Sequence, residues 1–186
     1  MRPQKVDDQQ LMAGLMSVLR AKGFDGASMN DLSEATGLKK ASLYHRFPGG
    51  KKEIVEAVLA YTGDWGEVNI YQLLTDQTKA PLERLQAVLA NISNLYEGGK
   101  AICILRALTM DSSLPLFGNL IEERFQLWID AFTQLGKDFD FTDEKARKLA
   151  LETLIRVQGS LVLSKGLGST EPFQQNLVEI ERIYTI

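Results

Sequence analysis

Apolar side chains recur at steps of three and four residues along most of the chain, which is typical of amphipathic α-helices. Leu11, Leu15 and Leu19 mark the first such helix, and Gly23 follows it as an end signal. Neither an alternating strand pattern nor a hairpin dipeptide is present. The pattern therefore predicts an all-α fold.

Three short helices are predicted to follow the first one. Ser28 with Asp31 three residues later indicates a capped helix start, and Gly37 indicates its end. A third helix is predicted at about 40–46, and Pro48-Gly49-Gly50 separates it from a fourth. Longer helices are predicted beyond residue 60, at about 82–95, 101–110, 116–135, 142–166 and 173–184.

Two short helices joined by a glycine turn are typical of a helix-turn-helix unit, which places its second helix in the DNA major groove. At 100° per residue, Leu43 and Phe47 share one face of the third helix. Ala41, Ser42 and His45 fall on the opposite face, where small and hydrogen-bonding residues could reach base edges. Four lysines precede or begin helices here and are predicted to bind phosphate: Lys39, Lys40, Lys51 and Lys52.

Charge is unevenly distributed along this chain of 186 residues and net charge −3. Residues 1–60 hold nine Lys and Arg against seven Asp and Glu, whereas residues 61–186 hold twelve against seventeen. A cationic segment on an acidic body indicates a polyanion partner at one end only. The alternative is a solvated, functionless basic surface.

The composition argues against an enzyme. Cys103 is the only cysteine and His45 the only histidine, so one chain cannot build a Cys and His zinc site, and we find no nucleophile motif near His45. We expect no catalytic site, metal or cofactor. The segment MRPQKVDDQQ lacks a signal-peptide core and no apolar run could span a membrane, so we expect a cytoplasmic protein without membrane association.

The stretch GFDGASMNDLSEATGLKKASLYHRFPGGKKEIVEAVL, residues 23–59, resembles the DNA-binding domain of the tetracycline-repressor (TetR) family of bacterial transcription regulators. The resemblance implies a three-helix helix-turn-helix domain at 1–60 and an all-α effector-binding and dimerisation domain at 61–186. Three departures are Lys39 where Ser is frequent, Ala27 where Thr is frequent, and an additional glycine in Gly49-Gly50. The implied DNA-binding residues are Ser28, Lys39, Lys40, Ala41, Ser42, Tyr44, His45 and Lys51.

The resemblance also implies that helices 142–166 and 173–184 pair with those of a second copy to form a homodimer. The alternative is that their apolar stripes face the protein's own core. The candidate residues for binding a small effector are Tyr96, Cys103, Arg106, Phe125, Trp128 and Gln158.

Two of these candidates carry a specific alternative. Arg106 lies in an apolar stretch, so it either suits an anionic ligand or pairs with an acid such as Asp111 or Glu122. Cys103 is either a redox sensor or inert core.

The sequence thus predicts a ligand-responsive, dimeric regulator of a palindromic DNA operator, and specifically a repressor released by a small molecule. The alternatives are an all-α small-molecule-binding protein or enzyme with an incidental helix-turn-helix, and a structural DNA protein with no effector.

Overall fold

The computed structural model describes residues 6–109 and 111–185, where it shows helices and no strand, so the all-α prediction is confirmed. None of the helices in these residues is long and apolar enough to span a membrane. The α-helices are α1 Asp8–Gly26, α2 Met29–Thr36, α3 Lys40–Arg46, α4 Lys51–Gly66, α5 Gln72–Thr75, α6 Pro81–Leu95, α7 Ile104–Ala107, α8 Leu114–Asp138, α9 Asp143–Leu167 and α10 Glu171–Thr185.

The chain forms two compact units. The first contains the described residues up to Thr62 together with 104–121, and the second contains 63–103 and 122–185. The sequence-based division at residue 60 had placed 104–121 with the second domain. The division by function, into DNA binding and effector binding, stays a prediction.

The first unit has an aliphatic core beneath a close contact between α1 and α2. A Cβ on Gly14 would lie 2.7 Å from the carbonyl oxygen of Ala35, so glycine allows the two helices to approach at this point. The core residues supplied by α1 to α4 include Leu11, Leu15, Leu19, Leu32, Leu43, Ile54, Val58 and Leu59, all without solvent exposure. Burial of this aliphatic surface is the main stabilising contribution to the unit.

The turn between α2 and α3 is built as the sequence predicts. Gly37 has φ of +68°, the left-handed conformation that ends many helices. The Ser33 hydroxyl donates to the Leu38 carbonyl oxygen at 2.5 Å, which closes the turn from the other side. These contacts fix where α3 leaves α2.

The second unit is held by aromatic contacts and one buried ion pair. The rings of Tyr96 and Phe173 meet edge to face at 6.0 Å between centroids. The Arg84 guanidinium, 2% exposed, lies 2.7 Å from the Asp138 carboxylate and also donates to the Leu74 carbonyl oxygen. Burial opposes ionisation of Asp138, but hydrogen bonds from Gln77, Arg84 and Gln134 outweigh it and lower the carboxyl pKa.

Two helices extend beyond the residues from which they were predicted. Gly23, predicted to end α1, has φ of +65° inside its last turns, and helical residues continue to Gly26. α4 continues to Gly66 and is followed by a π-helix at Glu67–Tyr71 and by the short α5. The sequence has no helix-end signal at Leu59. Gly63 and Gly66 lie inside the helix, where tertiary packing offsets their low helix propensity.

Candidate nucleic-acid interface

Helix α3 presents the two faces predicted from its sequence. Leu43 is fully buried and Phe47, directly after the helix, is 6% exposed, so they anchor it to the core. The opposite side carries small, hydroxyl, aromatic and imidazole groups, which are the groups that can approach and read base edges in a major groove. Its exposed residues are Ala41, Ser42, Tyr44 and His45.

Two exposed lysines stand at the start of α3. Lys39 is the N-cap residue and, as expected from the absence of Ser there, makes no side-chain cap. Lys40 is the first helical residue. Because both side chains are exposed, their ammonium groups can reach a phosphate without breaking a buried contact.

Ser28 caps α2, and its hydrogen-bond donors point inward to Asp31. Its hydroxyl accepts from the Asp31 amide at 3.2 Å and donates to the Asp31 carboxylate at 2.7 Å. Its own amide donates to the same carboxylate at 2.9 Å. Contact between either Ser28 donor and DNA would therefore require Asp31 to release it.

The Gly49-Gly50 turn is explained by the cap that it builds for α4. Gly50 has φ of +66°, a conformation suited to glycine. The amide of Gly49 donates to the Glu53 carboxylate at 2.6 Å, so a side chain of the first turn closes the helix start. This geometry places Lys51 and Lys52 as the first two residues of α4.

The two lysines of α4 have different surroundings. Lys51 is partly buried and donates to the Ala27 carbonyl oxygen at 3.0 Å. Lys52 is exposed and lies 3.4 Å from the Glu56 carboxylate, one turn along the same helix. Arg46 likewise pairs with Asp8 at 2.6 Å with both side chains exposed, a type of pair that contributes about 0–1 kcal/mol.

Comparison with known proteins agrees with this geometry. Residues 11–58 match the family described as bacterial regulatory proteins, tetR family. An uncharacterised HTH-type transcriptional regulator of Bacillus subtilis, YxaF, is 26% identical over 79% of this chain and 78% of its own length. The sequence match and the shared helical fold support a TetR-type transcriptional regulator.

Two further similarities extend beyond the DNA-binding residues. The HTH-type transcriptional repressor KstR2 of Mycolicibacterium smegmatis is 28% identical over 64% of this chain and 60% of its own length. The TetR-family regulator CifR, solved with 26-bp double-strand operator DNA, has the same fold with a TM-score of 0.75 and 22% identity, covering 97% of this chain and 98% of that chain. Together these similarities support the prediction of a DNA-binding transcriptional regulator rather than an enzyme.

The effector candidates of this TetR protein fall in different parts of the structure. Tyr96 and Cys103 are buried in the second unit, and Phe125, Trp128 and Gln158 are partly buried there. Arg106 belongs to the first unit and its side chain is exposed. The expectation of a buried cation at Arg106 is therefore wrong, because α7 ends one residue later and turns this side chain to solvent.

Two polar atoms of the second unit mark a feature that the sequence alone did not show. Gln158 Oε1 and Arg124 Nε are buried and have no hydrogen-bond partner among the described residues. Arg124 lies against Gly63, and the next turn of α8 brings the Trp128 indole nitrogen within 3.3 Å of where a Gly66 Cβ would be. No pattern in the sequence predicted that Gly63 and Gly66 lie against Arg124 and Trp128.

Proposed function

We propose that this TetR regulator is a dimeric repressor that binds a palindromic operator in the cytoplasm and is released by a small molecule. The observation that carries the DNA-binding part is the exposed polar face of α3 on its buried anchor, Leu43. Lys39 and Lys40 bind phosphates, and Ala41, Ser42 and His45 face base edges. CifR, which was solved on operator DNA, and KstR2, named a repressor, support the operator and the sign of control.

The dimer is proposed from an unpartnered apolar face on α9. Leu151, Ile155 and Val162 follow one another at steps of four and seven residues and are exposed, Ile155 by 69%. Gly159 and Gly166 share this face, and a Cβ at either would meet no atom within 4 Å. A second copy packed on this face would bury the apolar surface, and its two α3 helices would read two half-sites.

The effector site is proposed in the second unit, around the side chains of α8 and α9. The unpartnered Gln158 oxygen can accept a hydrogen bond from a ligand, and Arg124 Nε can donate one. Tyr96, Phe125 and Trp128 supply aromatic surface for a mostly apolar compound. Cys103 is buried, and we propose a packing role for it.

The DNA-binding part is tested by selecting duplexes that bind the protein and measuring affinity at several salt concentrations. We expect a palindromic site whose log affinity falls steeply with log salt. Lys40→Ala lowers the affinity and shrinks the salt slope by about two units, one for each protomer of the dimer. Lys100→Ala removes the same charge from an exposed position of the second unit and leaves both quantities unchanged.

The base-reading role of α3 has its own outcome in the same experiment. His45→Ala lowers the ratio of selected to random duplex affinity by about tenfold while the salt slope is kept. Selection that yields no symmetric site, or a Lys40→Ala slope equal to that of the wild type, contradicts the proposed function.

A further inference from the structure

Lys51 makes two contacts inside the first unit. Its ammonium donates to the carbonyl oxygen of Ala27 at 3.0 Å and lies 4.5 Å from the centroid of the Phe24 ring. The first contact is a charge-assisted hydrogen bond and the second a cation–π interaction. The side chain is partly buried, whereas Lys39 and Lys40 are exposed. The cation at the start of α4 is thus held by the protein itself.

The Phe24 ring that holds Lys51 is fixed from its other side. The Phe117 ring meets it edge to face, with centroids 5.3 Å apart and planes at 75°. The neighbouring Asp25 carboxylate accepts from both the hydroxyl and the amide of Ser112. These two bonds, with a smaller contribution from the Lys51 charge, lower the pKa of Asp25. Residues 24 and 25 are therefore bound to 112–117 by independent contacts.

The contact with Ala27 connects the starts of two helices. Ala27 directly precedes Ser28, the N-cap residue of α2, and Lys51 is the first residue of α4. The chain between them is the helix-turn-helix itself, α2 and α3. A bond from Lys51 to Ala27 therefore closes the ends of this segment and sets how α2 and α4 meet at its base.

We propose that Lys51 is a positioning residue, which holds the helix-turn-helix in its DNA-binding geometry through Ala27 and Phe24 and does not bind a phosphate. Phe117 supports this arrangement through the Phe24 ring, and Ser112 supports it through the neighbouring Asp25 carboxylate. This inference rests on the proposed DNA-binding function and differs from the family-based expectation of a phosphate contact at Lys51.

The salt dependence of binding distinguishes the two roles. A lysine that neutralises a phosphate releases condensed counterions, so its removal reduces the slope of log affinity against log salt by about one unit. A lysine whose ammonium stays bound to groups of the protein and contacts no phosphate changes the affinity without changing that slope. Loss of stability by itself moves neither quantity while the protein stays folded.

The experiment uses the full chain and a duplex selected for binding. Lys51→Met keeps the apolar stem and removes the ammonium, and Lys40→Met is the matched control. We expect Lys51→Met to weaken binding about tenfold, the order expected for a lost hydrogen bond to a charged group, with the wild-type slope retained. Lys40→Met reduces the slope by about two units, one for each protomer. Circular dichroism at the assay temperature establishes that each variant is folded.

Phe24→Leu provides a second, milder variant that keeps an apolar side chain in contact with the core. We expect weaker binding at an unchanged slope. The loss of binding free energy in the double variant should be smaller than the sum of the two single losses, because each change removes the same cation–ring contact. If Lys51→Met does not fold, Phe24→Leu and Phe117→Leu carry the test alone.

Either of two results overturns the proposal. One is a slope reduced by about two units in Lys51→Met, one for each protomer, which would make Lys51 a phosphate contact. The other is unchanged affinity in both Lys51→Met and Phe24→Leu. Wild-type binding and the Lys40→Met control report on the proposed function separately, so Lys51 can fail while that function stands. Wild-type protein that binds no duplex overturns both.

Discussion

At the scale of single residues, Asp31 completes the cap of α2 and at the same time occupies hydrogen-bond donors that could otherwise bind DNA. Its carboxylate lies 2.6 Å from the Lys22 ammonium and accepts from both donors of Ser28. The Lys22 contact, followed by the Ser28 bonds, holds the pKa of Asp31 well below its usual range. The ionised carboxylate therefore stabilises the folded protein more than it stabilises the unfolded chain.

The first prediction concerns pH. A carboxyl group whose folded pKa is depressed contributes stability above its unfolded pKa, about 3.9, and loses it as pH falls further. Asp31→Asn should therefore lower the free energy of unfolding at pH 7, and its difference from the wild type should shrink below about pH 4. Urea denaturation at several pH values measures this. Glu34→Gln, an exposed site on the same helix, is the control, and a pH-independent difference for Asp31→Asn would contradict the argument.

The same residues show how far sequence reasoning reaches. The spacing of Ser28 and Asp31 predicted the cap because a capping box is a local contact within four residues. The sequence could not show that Lys22 faces Asp31 or that Lys51 faces Ala27. Those contacts span nine and twenty-four residues and depend on how helices pack. The sequence could therefore supply candidate DNA-binding residues, which stay a prediction, but not the partners that already occupy some of them.

At the scale of helices, strong periodicity and clear end signals gave correct elements. α2, α3, α6 and α9 begin and end close to their predicted positions because a cap, a proline or a glycine marks each boundary. The π-helix at Glu67–Tyr71 was not predicted, since its residues show no regular apolar spacing. Periodicity also left open whether the apolar residues of α9 face the core or a partner. In the structure Ala146, Leu149 and Val157 are buried within the chain, whereas Ile155 is exposed, so a partner on the exposed face stays a prediction.

The second prediction follows from the exposed face of α9. Ile155→Glu places a charge at the centre of the proposed interface, and twofold symmetry introduces it twice per dimer. We expect the dimer dissociation constant to rise about a hundredfold or more, because two unpaired carboxylates would be buried. Analytical ultracentrifugation over a concentration series measures this constant, and operator affinity should fall with it.

Val68→Glu is the control for this experiment. Val68 is a similarly exposed apolar residue of the second unit, outside α9 and α10, so its substitution should leave the dimer intact. A wild-type protein that sediments as a monomer at micromolar concentration would remove the proposed interface. Persistence of the dimer in Ile155→Glu would instead place the interface elsewhere.

At the scale of the whole molecule, the proposed response to a ligand means that DNA binding and ligand binding share one coupling free energy. If a ligand lowers the operator affinity by some factor, the operator must lower the ligand affinity by the same factor. Such a ligand acts only through a difference in its affinity for two states of the protein. This reciprocity holds whatever physical mechanism couples the two binding sites.

The last prediction is this reciprocity, tested with a compound that raises the melting temperature in a screen. We expect it to weaken operator binding by a factor in the range of about 5 to 150, and saturating operator DNA to weaken the compound by an equal factor. Gln158→Leu, which removes the unpartnered amide oxygen, should weaken the compound about tenfold. It should leave the operator affinity of the ligand-free protein unchanged, because Gln158 lies in the proposed effector site and outside the proposed DNA-binding face. Tryptophan fluorescence and DNA anisotropy give the two factors, and unequal values would show that the compound does not act through this equilibrium.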